Sequence, residues 1–410
     1  VACCAYMTDA EGNFDYFERY VRMSKVIMFK KIDDEFELDF VDPDTHFCFG
    51  GDSQDKGVGG PEIIRQLLKF KAKYPHRVHL IIGNRDANKL RFLSELSADA
   101  LSDPAVASDT SFPWWLPEPK RVTPEMYLAQ NPSPHSDLET LRASRLRWML
   151  KETMGADGAF EARRMELMLQ WEGAVDDEDV VSSFMDEVDP EKSKEDAWML
   201  EYLRQAQIGY VYHGTVFVHG GLSENNIGTV PGRSDRIGNI HQWLAALNEW
   251  ARDQVAAYEA EPSDGKNSRT RVFDGILDYT VAGGNDGKTV IVCDHTENGN
   301  CAPIPQLVQK YLLINGCNRI VVGHKPHGDC PSVIRAGGDS GCAVIMADTS
   351  YSEMGHVTVK SDEDGPICQW VDNRGQALCE VLVYPDGSVE VHGTRADGRA
   401  VEYSLFREGG

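Results

Sequence analysis

Five short motifs carry the residues with chemistry to offer: Asp9-Ala10-Glu11-Gly12-Asn13, Gly51-Asp52-Ser53-Gln54-Asp55, Gly83-Asn84-Arg85-Asp86, His219-Gly220-Gly221 and Gly323-His324. Their donors are carboxylates, an amide oxygen and imidazoles, a set that suits Mn, Mg, Fe or Zn. In this order they read as a two-metal phosphoester site, where cations about 3.5–4 Å apart activate a water and clamp phosphoryl oxygens. Taken singly, an aspartate after a strand is more often a helix N-cap than a ligand. The joint arrangement is what points to chemistry. Gly51, Gly83, Gly220 and Gly323 sit beside the donors, where a tight turn or close approach would need them. His46, His76, His79 and His392 lack such a context and are read as structural.

Each motif follows a run of β-branched, aromatic or other apolar residues: 2–7, 45–49, 78–82, 215–218 and 320–322. Such runs are buried-strand signals. A polar residue directly after a buried strand lies at the carboxyl edge of the sheet, where α/β folds collect their active sites. Pro61 fits a first helical position, and Ile63, Ile64, Leu67 and Leu68 recur at helical spacing before the third strand. Leu307, Val308, Tyr311 and Leu312 mark another helix, which Gly316 is placed to end. Asn84 and His219 are too far apart for one crossover. The expected organisation is a core in two parts, residues 1–100 and 206–410, split by a largely helical insert at 101–205 that could cap the site. Asp137 is placed to cap one helix of the insert, while the proline-rich stretch 113–134, with Trp114 and Trp115, reads as an irregular loop. Acid runs at 33–44 and 176–191 read as solvated surface. Pro385-Asp386-Gly387 and Ala396-Asp397-Gly398 separate alternating segments, a C-terminal β-meander.

Composition limits the partners. The 410 residues include 65 acidic and 41 basic side chains, a formal charge of −24 that repels nucleic-acid backbones and anionic lipid surfaces. No apolar stretch approaches the ~20 residues needed to span a bilayer. Ten scattered cysteines, with Cys3 and Cys4 adjacent in a strand and so facing opposite ways, suit reduced thiols and a cytoplasmic setting. The chain opens on Val1, inside the first strand and without an initiator Met, so upstream residues are expected and targeting signals are not readable. Oligomeric state is not readable either.

The ordered motifs resemble the calcineurin-like metallophosphoesterase superfamily, and His-Gly-Gly followed by Gly-His-x-Pro is most similar to its phosphoprotein-phosphatase-like branch. The resemblance implies an α/β fold, a β-sandwich flanked by helices, with two divalent ions, Mn first and Mg, Fe or Zn as alternatives. It implies that Asp52 bridges the ions, with Asp9 on the first and Asn84, His219 and His324 on the second. Hydrolysis by in-line attack of a bridging hydroxide follows from the same resemblance.

Two positions depart from the family pattern. Glu11 stands where the family has a histidine; a carboxylate there adds negative charge and favours a harder ion at the first site, or serves as a hydrogen-bond acceptor. Arg85 stands where the family has the histidine that pairs with an aspartate and protonates the leaving group. A guanidinium stays charged and cannot donate that proton, but it can bind phosphate, with Asp55 as its ion-pair partner and Lys56 in place of the family's arginine. His327 is the first candidate for the missing acid, a structural role being the alternative. Arg233 and Arg236, in a loop after Pro231-Gly232, are candidate phosphate binders, and Asp348-Thr349-Ser350-Tyr351 could line the site from another strand end.

The expected activity is a two-metal phosphomonoesterase, a protein phosphatase acting on phosphoserine, phosphothreonine or phosphotyrosine, or on small phosphorylated substrates, with a preference for good leaving groups. A nucleotide or dinucleoside polyphosphate pyrophosphohydrolase is the enzymatic alternative. A catalytically degenerate binding module is the alternative of another class.

Overall fold

The computed structural model describes residues 2–32, 35–102, 115–132, 137–171, 173–260, 275–336, 341–349, 358–362, 365–369 and 376–405. Two mixed sheets form an α/β sandwich with helices on its outer faces. The six-stranded sheet runs Ala400–Leu405, Val389–Thr394, Leu378–Val383, Cys4–Met7, His46–Phe49, Val78–Leu80. The five-stranded sheet runs Ser332–Ala336, Cys342–Met346, Arg319–Val322, Thr215–Val218, Gly209–Tyr212.

The period-2 pattern of each strand decides its two faces. In the first strand Cys4 and Tyr6 join Cys48, Phe217, Val321, Ile345 and Val381 in a core between the sheets, where the Tyr6 and Phe217 rings lie 5.6 Å apart. Ala5 and Met7 point the other way, into the larger core that the helices cover. Cys3 and Cys4 therefore face opposite sides as expected, and both are free thiols. A fully buried Phe or Leu in either layer contributes about 1.5–3 kcal/mol.

Parallel pairing sets the site's location. Cys4–Met7 runs parallel to His46–Phe49, which runs parallel to Val78–Leu80. In the second sheet Arg319–Val322 is parallel to both Thr215–Val218 and Cys342–Met346. The loops that leave these six strands emerge at one edge of the sandwich. Helix Gly60–Lys73, with Pro61 in its first turn, lies in the crossover from His46–Phe49 to Val78–Leu80, and helix Gln306–Ile314, followed by Gly316 at φ 71°, in that from Thr215–Val218 to Arg319–Val322. The terminal meander pairs Leu378–Val383 with Val389–Thr394 and that strand with Ala400–Leu405, with Gly387 and Gly398 at positive φ in the turns.

Between Val78–Leu80 and Gly209–Tyr212 the described elements are helical, beginning with the short turn Asn84–Ala87. Asp137 caps helix Leu138–Trp148 by accepting from Thr140 N at 2.9 Å. Two expectations need correction. The stretch read as an irregular loop holds helix Pro124–Gln130, because Thr123 caps it and Pro124 occupies its first turn; Trp114 lies outside the described residues. The acid runs are also not simply solvated. Asp39, in the hairpin Ile27–Ile32 with Glu35–Phe40, is buried and accepts from Tyr74 OH at 2.5 Å, and Glu187 is fully buried at the C-terminal end of helix Asp177–Asp186.

Candidate metal centre

The loops after the parallel strands hold one another in register. Asp9 N donates to Gly51 O at 3.0 Å, Glu11 N to Asp52 O at 3.0 Å, Gly12 N to Ser53 O at 2.9 Å and Gly323 N to His219 O at 2.8 Å. Close approach requires glycine at two points. A Cβ on Gly83 would lie 2.2 Å from Asp52 Oδ1, and one on Gly323 would lie 2.2 Å from Asp9 Oδ2. The same loops carry unusual backbone: Asp9, Glu11, Asp52, Asp55 and His324 have φ of 53°, 46°, 55°, 113° and 69°. Such conformations cost on the order of 1–3 kcal/mol each outside glycine and collect at functional sites.

Two donor clusters result, and they share Asp52. Asp52, His219 and His324 bring one ligand atom each within 4.8 Å of one another, and so do Asp9, Glu11 and Asp52. Asn84 Oδ1 lies 3.2 Å from His219 Nε2, beside the first of these. His219 Nδ1 is 2.8 Å from Gly50 O, so this nitrogen carries the proton and Nε2 faces the cluster. The His219 and His324 rings are 5.2 Å apart. Thr8 Oγ1 and His324 N both donate to Asp9 Oδ2, at 2.5 and 3.1 Å.

Burial and mutual charge set the protonation of these donors. Burial and Asp348 push the Asp9 carboxyl well above its usual range. Burial acts in the same direction on Asp52, but His219, Arg85 and His324 outweigh it and hold Asp52 below the usual range. Burial lowers His219, yet Asp52 dominates and raises it to about 10, whereas burial and His219 together push His324 down to about 3. With only protein groups around it, the cluster draws a proton to His219. A cation at Nε2 would take that proton's place.

Asp86 is the organiser that the motif contained but sequence reasoning left without a role. It is fully buried and accepts from Asp52 N and Ser53 N at 3.0 Å, Ser53 Oγ at 2.7 Å and Gly83 N at 2.8 Å, tying two loops together. Its place at the third position of a helical turn is a capping signal that could have revealed it.

The cations lie on the other side. Arg85 Nε is 3.0 Å from Glu11 Oε1 and 3.5 Å from Asp52 Oδ2, and Lys56 Nζ is 3.3 Å from Glu11 Oε2. Asp55 lies 3.5 Å from Arg85 Nη1, but its closest partner is Lys89, at 2.5 Å, a residue sequence reasoning missed. The remaining candidates have other partners, and Asp348 acts on Asp9 through its charge. Arg233 pairs with Asp235 at 3.0 Å in an exposed loop, and Arg236 donates to the carbonyls of Glu224, Asn225 and Ile227. Half-buried His327 accepts from Ser332 Oγ through its carbonyl at 2.9 Å. Asp348 is buried and Thr349 contacts Ala377 O, while Ser350 and Tyr351 lie outside the described residues. His46 and His79 stack on each other, 3.3 Å apart at their nearest nitrogens, and His392 pairs with buried Glu380 at 2.7 Å.

No protein-family model matches the chain. Over 48 residues, 12% of the chain, it is 40% identical to the serine/threonine-protein phosphatase PP2A-like PPG1 of Saccharomyces cerevisiae, a match spanning 13% of that protein's length. Among solved structures it is similar to a mutant cold-active protein tyrosine phosphatase, with 13% identity, a TM-score of 0.42 and coverage of 98% of this chain and 80% of that one. It is also similar to a Saccharomyces cerevisiae protein serine/threonine phosphatase described as resembling human phosphatase PP5, with 9% identity, a TM-score of 0.36 and coverage of 100% and 81%.

Proposed function

We propose that the chain is a two-metal phosphomonoesterase, acting as a protein phosphatase with a preference for good leaving groups. The observation that carries this reading is the shared position of Asp52, whose carboxylate belongs to both donor clusters. Asp9, Glu11 and Asp52 would hold one divalent ion, and Asp52, Asn84, His219 and His324 the other. Oxygen and imidazole donors in this mixture fit Mn first, with Mg, Fe or Zn also accommodated. Bound there, the ions supply Lewis acidity and an acidified water. Glu11 has lone pairs enough to face an ion and still accept from Lys56 and Arg85.

The chain's own residues complete the site. Arg85 and Lys56 bind the phosphoryl oxygens and offset charge that grows as the ester bond breaks. Burial opposes the charge on Arg85, but Glu11, Asp52 and Asp55 prevail and hold the guanidinium above its ordinary range, so it remains a phosphate ligand and not a proton donor. A nearby acid commonly contributes ~10²–10⁴-fold, most when the departing oxygen is strongly basic. A phosphotyrosine-like ester therefore fits this site better than an alkyl ester such as phosphoserine. The short likeness to a yeast protein phosphatase supports phosphorylated protein as the substrate class. A phosphoanhydride has a good leaving group too and suits Arg85 equally well, and a dinucleoside polyphosphate assay separates the two.

The test is a series of phenyl phosphates of graded phenol acidity, compared with an alkyl phosphate and phosphoserine peptides. Rates should fall steeply as the leaving group becomes more basic, and Arg85→His should flatten that slope. Rates indifferent to leaving-group pKa would contradict the proposal.

A further inference from the structure

Arg85 is pulled two ways. Its Nε faces the donor clusters through Glu11 at 3.0 Å, while its Nη1 turns toward the insert, 2.9 Å from Met154 O, 3.5 Å from Gly155 O and 3.5 Å from Asp55 Oδ2. Asp55 is a buried carboxylate and would ordinarily claim a bidentate guanidinium partner. It does not, because Lys89 is already there. The Lys89 ammonium is fully buried, lies 2.5 and 2.6 Å from the two Asp55 oxygens, and rests 5.9 Å from the Phe92 ring centre. An isolated ammonium at such depth would be expensive, so its pairing with Asp55 is a built contact.

The insert supplies the second anchor. A five-residue π-helical turn, Met149–Thr153, delivers the Met154 carbonyl to Arg85 Nη1. Thr153 Oγ1, accepting from Arg91 Nη1 at 2.9 Å, pins that turn to the Asn84–Ala87 side of the molecule. Local widening of this kind is frequent where a helix borders a functional site.

We infer that Lys89 is a positioning residue: by neutralising Asp55 it leaves Arg85 to the Met154 carbonyl and Glu11, and so keeps the guanidinium aimed at the substrate phosphate. This rests on the phosphatase reading above. It replaces the simple Asp55–Arg85 pair with an ordered set in which Asp55 belongs first to Lys89. The geometry predicts that Arg85 swings to Asp55 when Lys89 loses its charge, and that removing the Asp55 charge as well sends it back.

The experiment compares Lys89→Gln, which keeps a hydrogen-bond donor for Asp55, with the double variant Lys89→Gln/Asp55→Asn. Inorganic phosphate is titrated into each manganese-loaded protein by calorimetry, and each crystal structure locates Arg85. Lys89→Gln should bind phosphate about tenfold or more weakly, the size expected for losing one charge-assisted contact, with KM for an aryl phosphate rising more than kcat falls. The double variant should regain affinity to within about threefold of the parent, a coupling beyond simple additivity. A Lys89→Gln protein with parental phosphate affinity and Arg85 still on Glu11 overturns the inference, as does a double variant no better than the single. A parent protein that binds neither manganese nor phosphate overturns the phosphatase reading instead, and the position of Arg85 in the Lys89→Gln crystal then decides the inference by itself.

Discussion

The two sides of the candidate site are built differently. On the side of the donor clusters, Asp9, Asp52 and His324 sit at positive φ, and their loops and that of His219 bond to one another through backbone groups. On the insert-facing side the second loop is gripped by long-range charged side chains. Glu166 Oε1 accepts from Gly59 N at 2.6 Å and Gly60 N at 3.1 Å, Arg163 bridges Glu166 at 2.7 Å and Glu187 at 2.9 Å, and Gln54 bonds to both Arg163 and Glu187. The geometry of the candidate ligands is thus set by the sandwich, and that of the loop carrying Gln54 by how the insert packs on it. The insert is a structural partner of the second loop.

That contrast predicts which kind of loss follows from which change. The largest expected effect is Asp52→Asn, which removes the carboxylate common to both clusters: aryl phosphate turnover should drop by about a thousandfold or more, with bound manganese falling in elemental analysis. Retained metal at full stoichiometry would break the assignment of this side. Arg163→Met should act on the other side and through the fold. It leaves Glu187 and Glu166 buried without their partner, so chemical denaturation should show a loss of about 3–5 kcal/mol, while molecules that remain folded keep their metal.

Acidity sharpens the distinction. Asp52 raises His219 to about 10 against the effect of burial, so below that pH a cation entering at Nε2 displaces a proton. Manganese affinity should therefore weaken as pH falls from 8 to 6, by up to about tenfold per unit, and calorimetry in buffers of different ionisation enthalpy should register the released proton. Affinity independent of pH would place the cation away from His219. The smallest expected effect is Arg233→Ala: this arginine pairs with Asp235 on an exposed loop, so KM for an aryl phosphate should stay within about twofold of the parent.

The two sides also differ in how far the amino-acid order reveals them. Asp9, Asp52, Asn84, His219 and His324 are legible because each comes shortly after the end of a buried strand, and a strand end fixes position through local sequence alone. The sandwich itself is legible for the same reason, since the alternation of Cys4, Ala5, Tyr6 and Met7 encodes both of its cores. The insert-facing contacts join residues far apart in the chain, such as Gln54 with Glu187 and Gly59 with Glu166. Nothing in the acid run around Glu187 distinguishes the one carboxylate that turns inward. Lys89 lies between these cases. It follows Arg85 by four positions, one helical turn, so the spacing places both cations on one side of the segment even though burial of the lysine is not visible in the sequence. Helix Pro124–Gln130 was hidden by the density of prolines around it, although Thr123-Pro124 is itself a helix-start signal.

The central claim is that Asp52 is shared by two divalent cations. Anomalous diffraction from a crystal soaked in manganese tests it most directly. The account predicts two peaks on either side of the Asp52 carboxylate, one toward Asp9 and one toward His219 and His324; no peak among these residues, or a single ion that leaves Asp52 untouched, would contradict it.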